Sequence, residues 1–215
     1  MTGVQTCALP ISRDFLPPHS LSVLICQAMK VIGVVGEIGS GKDEVLKYLR
    51  EKYGVPYLST GDIVRKMAGE QGVEGTRENL EAISRRCFQD MGRGCFVRMA
   101  ADEIARQGWM VAGISGVRTP DDVEYLRKTL GRDFILVRVE IRDPLVRFGR
   151  VRKRSEERDP LNYEAFQLQD KKEEGAFNIS RTVAMADCAL DNSGPLASLH
   201  AEIAALVASG CLPVG

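Results

Sequence analysis

The sequence holds only two histidines, His19 and His200, and its six cysteines form no C-x-x-C pair. Those gaps argue against a zinc site, which needs clustered His and Cys ligands. Scattered thiols suit a reduced, cytoplasmic protein. No apolar run approaches the roughly 18 residues that a membrane-spanning helix needs. Net charge is missing too: 29 Lys and Arg balance 29 Asp and Glu. The broad basic surface of a dedicated nucleic-acid binder is therefore not expected, and any basic patch is local. Internal repeats and low-complexity tracts are absent. What is present is an ordinary globular composition, 44% hydrophobic and 27% charged over 215 residues. That length suits one domain with its own core and room for a small insertion.

Residues 1–28 stand apart. Leu21 to Ala28 is mildly apolar but lacks the basic start and cleavage site of a signal peptide. Met1 to Ser12 has the look of a translated sequencing adapter, and Met29 leads straight into an apolar run. The expectation is a non-native or disordered leader over 1–28 and a single domain over 29–215.

From Met29 the pattern alternates. Val31 to Val35 is a short apolar run bounded by Gly36, as in a buried parallel strand. Further strands are expected at Pro56–Leu58, at Trp109–Ala112 with an end at Gly113, at Phe134–Val139 and at Cys188–Leu190. Helical stripes lie between them: Val45, Leu46 and Leu49; Leu80, Ile83 and Cys87; Val97, Ala100 and Ile104; Val123, Leu126 and Leu130. A last stripe, Leu196, Leu199, Ile203 and Leu206, follows Pro195. Thr76 is a plausible N-cap, and Thr119-Pro120-Asp121-Asp122 reads as a cap, a proline at the first helical position and first-turn acids. Such alternation implies a parallel sheet covered on both faces, with ligands at the carboxyl ends of its strands.

The first of those ends carries Gly36-Glu37-Ile38-Gly39-Ser40-Gly41-Lys42-Asp43. It fits G-x-x-x-x-G-K between a strand and a helix, the setting of a P-loop. Glycines let backbone N–H groups curl toward phosphates, and the helix N-terminus adds partial positive charge. Lys42 is expected to neutralise the β and γ oxygens of a triphosphate, with ATP and Mg²⁺ as cofactors. Asp43 stands where the motif ordinarily has Ser or Thr. A carboxylate is also a hard oxygen ligand, so Asp43 is the candidate metal residue. A degenerate, weakly binding loop is the other reading of that departure.

Two further segments carry a resemblance. Ser59-Thr60-Gly61-Asp62-Ile63-Val64-Arg65 resembles the acceptor-binding segment of adenylate kinases. The resemblance implies that Thr60 and Asp62 border the acceptor and that Arg65 holds its phosphate. From the residues alone, Asp62 reads equally well as a helix cap and Arg65 as a surface charge. Gly113-Ile114-Ser115-Gly116-Val117-Arg118-Thr119 resembles the Asp-Gly-Phe-Pro-Arg-Thr segment of the same superfamily, which makes Arg118 a second clamp. Ser115 stands where that family often has the Asp that orders Mg²⁺. Asp62, Asp121 and Asp122 are nearby compensating carboxylates; for the last two, helix capping is the blander account.

Arg147, Arg150 and Arg154 share one helical face by their spacing. The stretch resembles the lid of nucleoside monophosphate kinases, spanning roughly 144–172, whose arginines stabilise transferred charge; a solvated basic helix is the alternative. Ala186 to Gly194 resembles the last strand and loop of dephospho-CoA kinases, which puts Asn192 and Gly194 beside the adenine or, more plainly, in a turn. Met29 to about Val207 thus resembles a P-loop nucleotide-kinase-like family found largely in archaea, between adenylate kinases and dephospho-CoA kinases. The implied fold is three-layer α/β with a parallel sheet and a small Arg-rich lid. The implied activity is transfer of the ATP γ-phosphoryl group to a small-molecule acceptor, a nucleoside monophosphate. Dephospho-CoA, with Asp62 as base, and a non-catalytic nucleotide-responsive protein are the alternatives.

Overall fold

A computed structural model describes residues 29–154 and 159–214; the expected leader over 1–28 lies outside them. Five strands form one sheet: β1 (Lys30–Val35), β2 (Tyr57–Ser59), β3 (Val111–Ser115), β4 (Phe134–Glu140) and β5 (Cys188–Asp191). Their order is β2-β3-β1-β4-β5, and each pairing is parallel. The described helices are α1 (Lys42–Tyr53), α2 (Thr60–Glu70), α3 (Arg77–Met91), α4 (Cys95–Arg106), α5 (Pro120–Leu130), α6 (Pro144–Arg154), α7 (Tyr163–Phe177), α8 (Ile179–Ala184) and α9 (Leu196–Ala208).

The alternation of side chains along β1 builds the three layers. Val31 and Val35 face a core with Val97, Ala100 and Ile104 of α4 and Val123 and Leu126 of α5. Ile32 and Val34 face the opposite core, with Val45, Leu46 and Leu49 of α1 and Leu199 and Ile203 of α9. A strand with both faces covered reads as a continuous apolar run, which is why β1 showed no polar alternation. Thr76 caps α3 by accepting from the Asn79 amide. Thr119 and Asp122 close a capping box at α5.

β3 departs from the expected boundary. It runs on through Gly113, which pairs with Ile32 of β1 and Tyr57 of β2. A Cβ at Gly113 would lie 2.5 Å from Leu46 Cδ2. The glycine therefore admits α1 close to the sheet rather than ending the strand. The consequence is that Ser115, not Gly113, stands at the carboxyl end of β3.

Two appendages flank the sheet. Val64, Met67, Ile83, Cys87 and Phe96 form a separate small core for α2, α3 and α4 beside β2. At the other end, Phe148, Tyr163 and Phe166 pack their rings between α6 and α7, with centroids 5.6–6.1 Å apart. Helix α7 lies in a charged stretch whose sequence shows no apolar stripe; Phe166 is its only fully buried anchor among the described residues.

Candidate nucleotide-binding and phosphoryl-transfer site

The loop between β1 and α1 is built on glycines and leads directly into the helix N-terminus. Gly39 and Gly41 take φ of +77° and +89°, a region that side chains rarely adopt. Gly41 is the N-cap of α1, and no side chain caps that helix. Its first amides are left for a ligand, which is the chemistry of phosphate binding. Lys42 reaches back across the loop and donates to the Glu37 carbonyl at 2.9 Å. These features fit a triphosphate.

Asn192 fixes the cradle from behind. It is buried, its Nδ2 donates to the Ser40 carbonyl at 2.9 Å, and its backbone N–H donates to Glu140 O at 2.9 Å. The amide fills the space that a Cβ on Gly41 would enter. Gly194, two residues on, accepts from Arg150 Nη2 at 3.0 Å. Gly41, Glu44, Arg150, Asn192, Gly194 and Leu196 line a cleft of about 430 Å³. A space of that size beside the cradle suits a base. Leu196, on the expected core stripe of α9, is 49% exposed because it forms this rim.

The Lys42 ammonium is pushed down to about 8, first by burial, then by the nearby Arg118 guanidinium and, more weakly, by Arg154. Asp43 and Glu173 oppose the shift. The charges of Arg118 and Arg154 therefore reach Lys42. Glu173 also lines a second cleft, of about 200 Å³, with Glu37, Asp170 and Glu174.

Asp43 is exposed in the first turn of α1. The buried Ser115 hydroxyl at the end of β3 donates to its Oδ1 at 2.5 Å. Among the described residues no three His, Cys, Asp or Glu gather into a metal cage. Mg²⁺ carried by phosphates asks for only one or two protein oxygens, and Asp43, held by Ser115, fits that need. Asp122 does not share it. Its carboxylate is buried and accepts from the backbone N–H groups of Arg118 and Thr119, at 3.0 and 2.8 Å. Capping is its role, and Asp121 is its exposed neighbour.

Of the residues expected to border an acceptor, Arg118 is exposed and lies 5.3 Å from the Phe177 ring centroid, while Thr182 Oγ1 donates to its carbonyl at 2.9 Å. Arg65 pairs with Asp62 at 2.5 Å, both side chains largely open to solvent. Thr60 is differently engaged. It is buried, and its hydroxyl donates to Gly116 O at 3.3 Å, so it joins α2 to the loop after β3.

The three arginines of α6 go three ways despite their shared spacing. Arg150 turns to the cleft rim, as above. Arg154 donates to both carboxylate oxygens of Asp159, at 3.2 and 2.5 Å. Arg147, expected to stabilise transferred charge, is instead buried. Its guanidinium grips Asp170 of α7 through Nη1 and Nη2 at 3.0 and 2.7 Å. It also donates to Ile38 O at 3.1 Å and stands 3.3 Å from Glu37 Oε2. Its partners Asp170 and Phe166, whose ring centroid lies 5.3 Å from the guanidinium carbon, belong to no motif in the sequence.

The sequence model of a family described as AAA domain matches residues 35–167. The UPF0200 protein TK1334 of Thermococcus kodakarensis is 35% identical over 179 residues, covering 82% of this chain and 96% of that protein. Among solved structures, TT1252 of Thermus thermophilus superposes with a TM-score of 0.59 at 21% identity, over 85% of this chain and 98% of that one. A shikimate kinase of Bacteroides thetaiotaomicron gives 0.53 at 14% identity, over 86% and 100%. Those two likenesses speak for the fold, while the cradle at the end of β1 and the sequence identity to TK1334 speak for descent: the chain belongs to the UPF0200 family of P-loop, kinase-like proteins.

Proposed function

We propose that this protein is an ATP- and Mg²⁺-dependent kinase that phosphorylates a small acceptor already carrying a phosphate, a nucleoside monophosphate. The observation that carries the reading is the uncapped start of α1 behind the glycine loop, with Lys42 held across that loop and the Arg118 and Arg154 charges near enough to add to the lowering of its ammonium. Cations crowded in this way are mutually destabilising until a polyanion lies among them. Phosphoryl transfer supplies one, because its transition state spreads negative charge over the transferred oxygens.

The chain's own groups divide the work. The loop amides and Lys42 hold the β and γ phosphates. Arg118, in the loop after β3, and Arg65, on α2, draw in the acceptor phosphate. Arg154 closes the opposite side. Arg147 positions α6 and α7 over the cradle without touching the reacting atoms. Asp43 would hold Mg²⁺, which would supply neutralisation of phosphate charge when bound. A phosphate acceptor is already ionised near neutral pH, so no general base is needed.

A hydroxyl acceptor is the second reading, favoured by the carboxylates Asp43 and Glu173, whose charge reaches Lys42, and by the shikimate kinase among the fold relatives. Asp62, bound to Arg65, is the weaker base. The test is ADP release from ATP and Mg²⁺ with a panel of nucleoside monophosphates, dephospho-CoA and sugar acids. Stimulation by a monophosphate supports the leading reading. Stimulation by hydroxyl acceptors alone establishes the second. ATP binding with no stimulated release would leave a nucleotide-responsive binding protein.

A further inference from the structure

We propose that Asp43 and Ser115 have exchanged the roles that a hydroxyl and a carboxylate ordinarily hold at these two positions, and that the protein consequently binds its nucleotide as the metal complex and discriminates against the metal-free form. The inference rests on the proposed nucleotide site and extends it to the form of nucleotide accepted.

In P-loop NTPases the residue after the lysine is a Ser or Thr whose hydroxyl meets Mg²⁺, and an Asp on a neighbouring strand completes the metal's surroundings. Here the residue after Lys42 is Asp43, and the strand end beside it offers Ser115. Read one at a time, each is a defect. Read together, they are the same two groups in the opposite order, joined by a hydrogen bond from Ser115 Oγ to Asp43 Oδ1 at 2.5 Å. One hydroxyl and one carboxylate remain, so the pair's charge is unchanged. What changes is which group reaches the ligand.

The hydroxyl now sits on the buried member, Ser115, and the carboxylate on the exposed one. The hydrogen bond engages Oδ1, and Oδ2 accepts no bond among the described residues. Ser115 is thus a positioning residue that fixes one carboxylate oxygen and leaves the other for a cation. The register of β3 makes this possible: Gly113 lets the strand continue past the expected end, and Ser115 pairs with Val34 one residue before the close of β1.

The exchange has a directional consequence. A neutral hydroxyl in the first helical turn tolerates a bare triphosphate. A carboxylate in that turn repels it. With a divalent cation between them the repulsion becomes ligation. The metal therefore acts on nucleotide affinity itself, a coupling between two ligands.

The test is titration calorimetry with a non-hydrolysable ATP analogue, with Mg²⁺ or with EDTA, beside electron paramagnetic resonance of Mn²⁺ in the same complex. The wild type is expected to bind the metal complex about 5–150-fold tighter than the free analogue. Asp43→Ser should bring that ratio toward one and release Mn²⁺. Ser115→Ala should weaken Mn²⁺ about 10–100-fold, as loss of an orienting partner does. The exchanged variant Asp43→Ser with Ser115→Asp should regain Mn²⁺. Melting without ligand reports whether each variant folds, and Ser115→Ala tests the pair without any new charge. The proposal is overturned if the wild type binds the analogue equally with and without metal, or if the exchanged variant holds Mn²⁺ no better than Asp43→Ser. Absence of analogue binding under both conditions would instead remove the nucleotide site itself, and the proposal with it.

Discussion

Arg147 and Asp170 form a two-pronged ion pair, Nη1 to Oδ1 at 3.0 Å and Nη2 to Oδ2 at 2.7 Å, that ties α6 to α7 directly behind the phosphate cradle. The guanidinium is almost wholly buried, 4% exposed, and also faces Glu37 of the loop and the Phe166 ring. Removing it leaves two carboxylates unpaired. Breaking such a pair from one side costs about 3–5 kcal/mol in buried settings, and the low end applies because Asp170 is 25% exposed. Arg147→Ala is expected to lose about 3 kcal/mol, or roughly 6–12 °C of melting temperature for a domain of this size. Arg147→Lys should recover little, because an ammonium cannot reproduce the planar fork. Thermal melts of both variants check this; a lysine variant as stable as wild type would show that charge alone suffices.

Asn192 gives a second structural prediction. Its Nδ2 satisfies the Ser40 carbonyl inside the loop. Asn192→Ala removes that donor and is expected to cost about 1–3 kcal/mol, the penalty for an unmatched buried acceptor. Asn192→Asp should be worse for ATP binding than the alanine variant. Its carboxylate offers no donor and adds negative charge where phosphates must lie. Calorimetric ATP affinities of the two variants, compared with their melting temperatures, separate these effects.

The parts of this fold that are legible in the sequence are those set by neighbours along the chain. The run Val31–Val35, the glycines of the loop and the Thr119 cap all depend on spacing within a few residues. The parts that are not legible depend on partners far away. Gly113 reads as a strand end because nothing local reveals Leu46, 67 positions earlier, packing against it. The spacing of Arg147, Arg150 and Arg154 gives a face, but their destinations depend on Asp170, Gly194 and Asp159. Ser115 looks like a lost metal residue until the structure sets it against Asp43.

Lys42 predicts a pH dependence with a definite sign. Its ammonium titrates at about 8 in the folded protein, against 10.5 for an ordinary lysine. Between those values the unfolded chain binds more protons, so the ligand-free protein should gain stability as pH rises through that window. Below about 8 the penalty for holding a charged lysine is fully present. Bound phosphates favour the charged form, so ATP binding above about pH 8 must take up a proton. ATP affinity should be flat below that pH and fall above it. Calorimetry in two buffers of different ionisation enthalpy measures the uptake directly. Lys42→Arg, whose charge persists beyond about pH 12, should abolish both the uptake and the fall.

Arg118 connects that titration to the acceptor. It is the largest charged contributor to the lowering of the Lys42 ammonium, and its own side chain lies outside the loop, against Phe177. Arg118→Ala therefore has two expected effects that a merely structural arginine would not produce together. The pH at which ATP affinity begins to fall should move upward, because burial remains while one repelling cation is gone. At the same time the acceptor KM should rise, or kcat should fall, with ATP binding at neutral pH preserved. Arg65→Ala should share the acceptor defect and leave the pH limb in place, since Arg65 is engaged with Asp62 and is not among the main charges that shift Lys42. Steady-state kinetics with the stimulating acceptor and ATP titrations across pH distinguish the two. If Arg118→Ala leaves the acceptor parameters unchanged while moving the pH limb, Arg118 tunes the donor site alone and the clamp must be sought in Arg65 and the small lobe of α2 and α3.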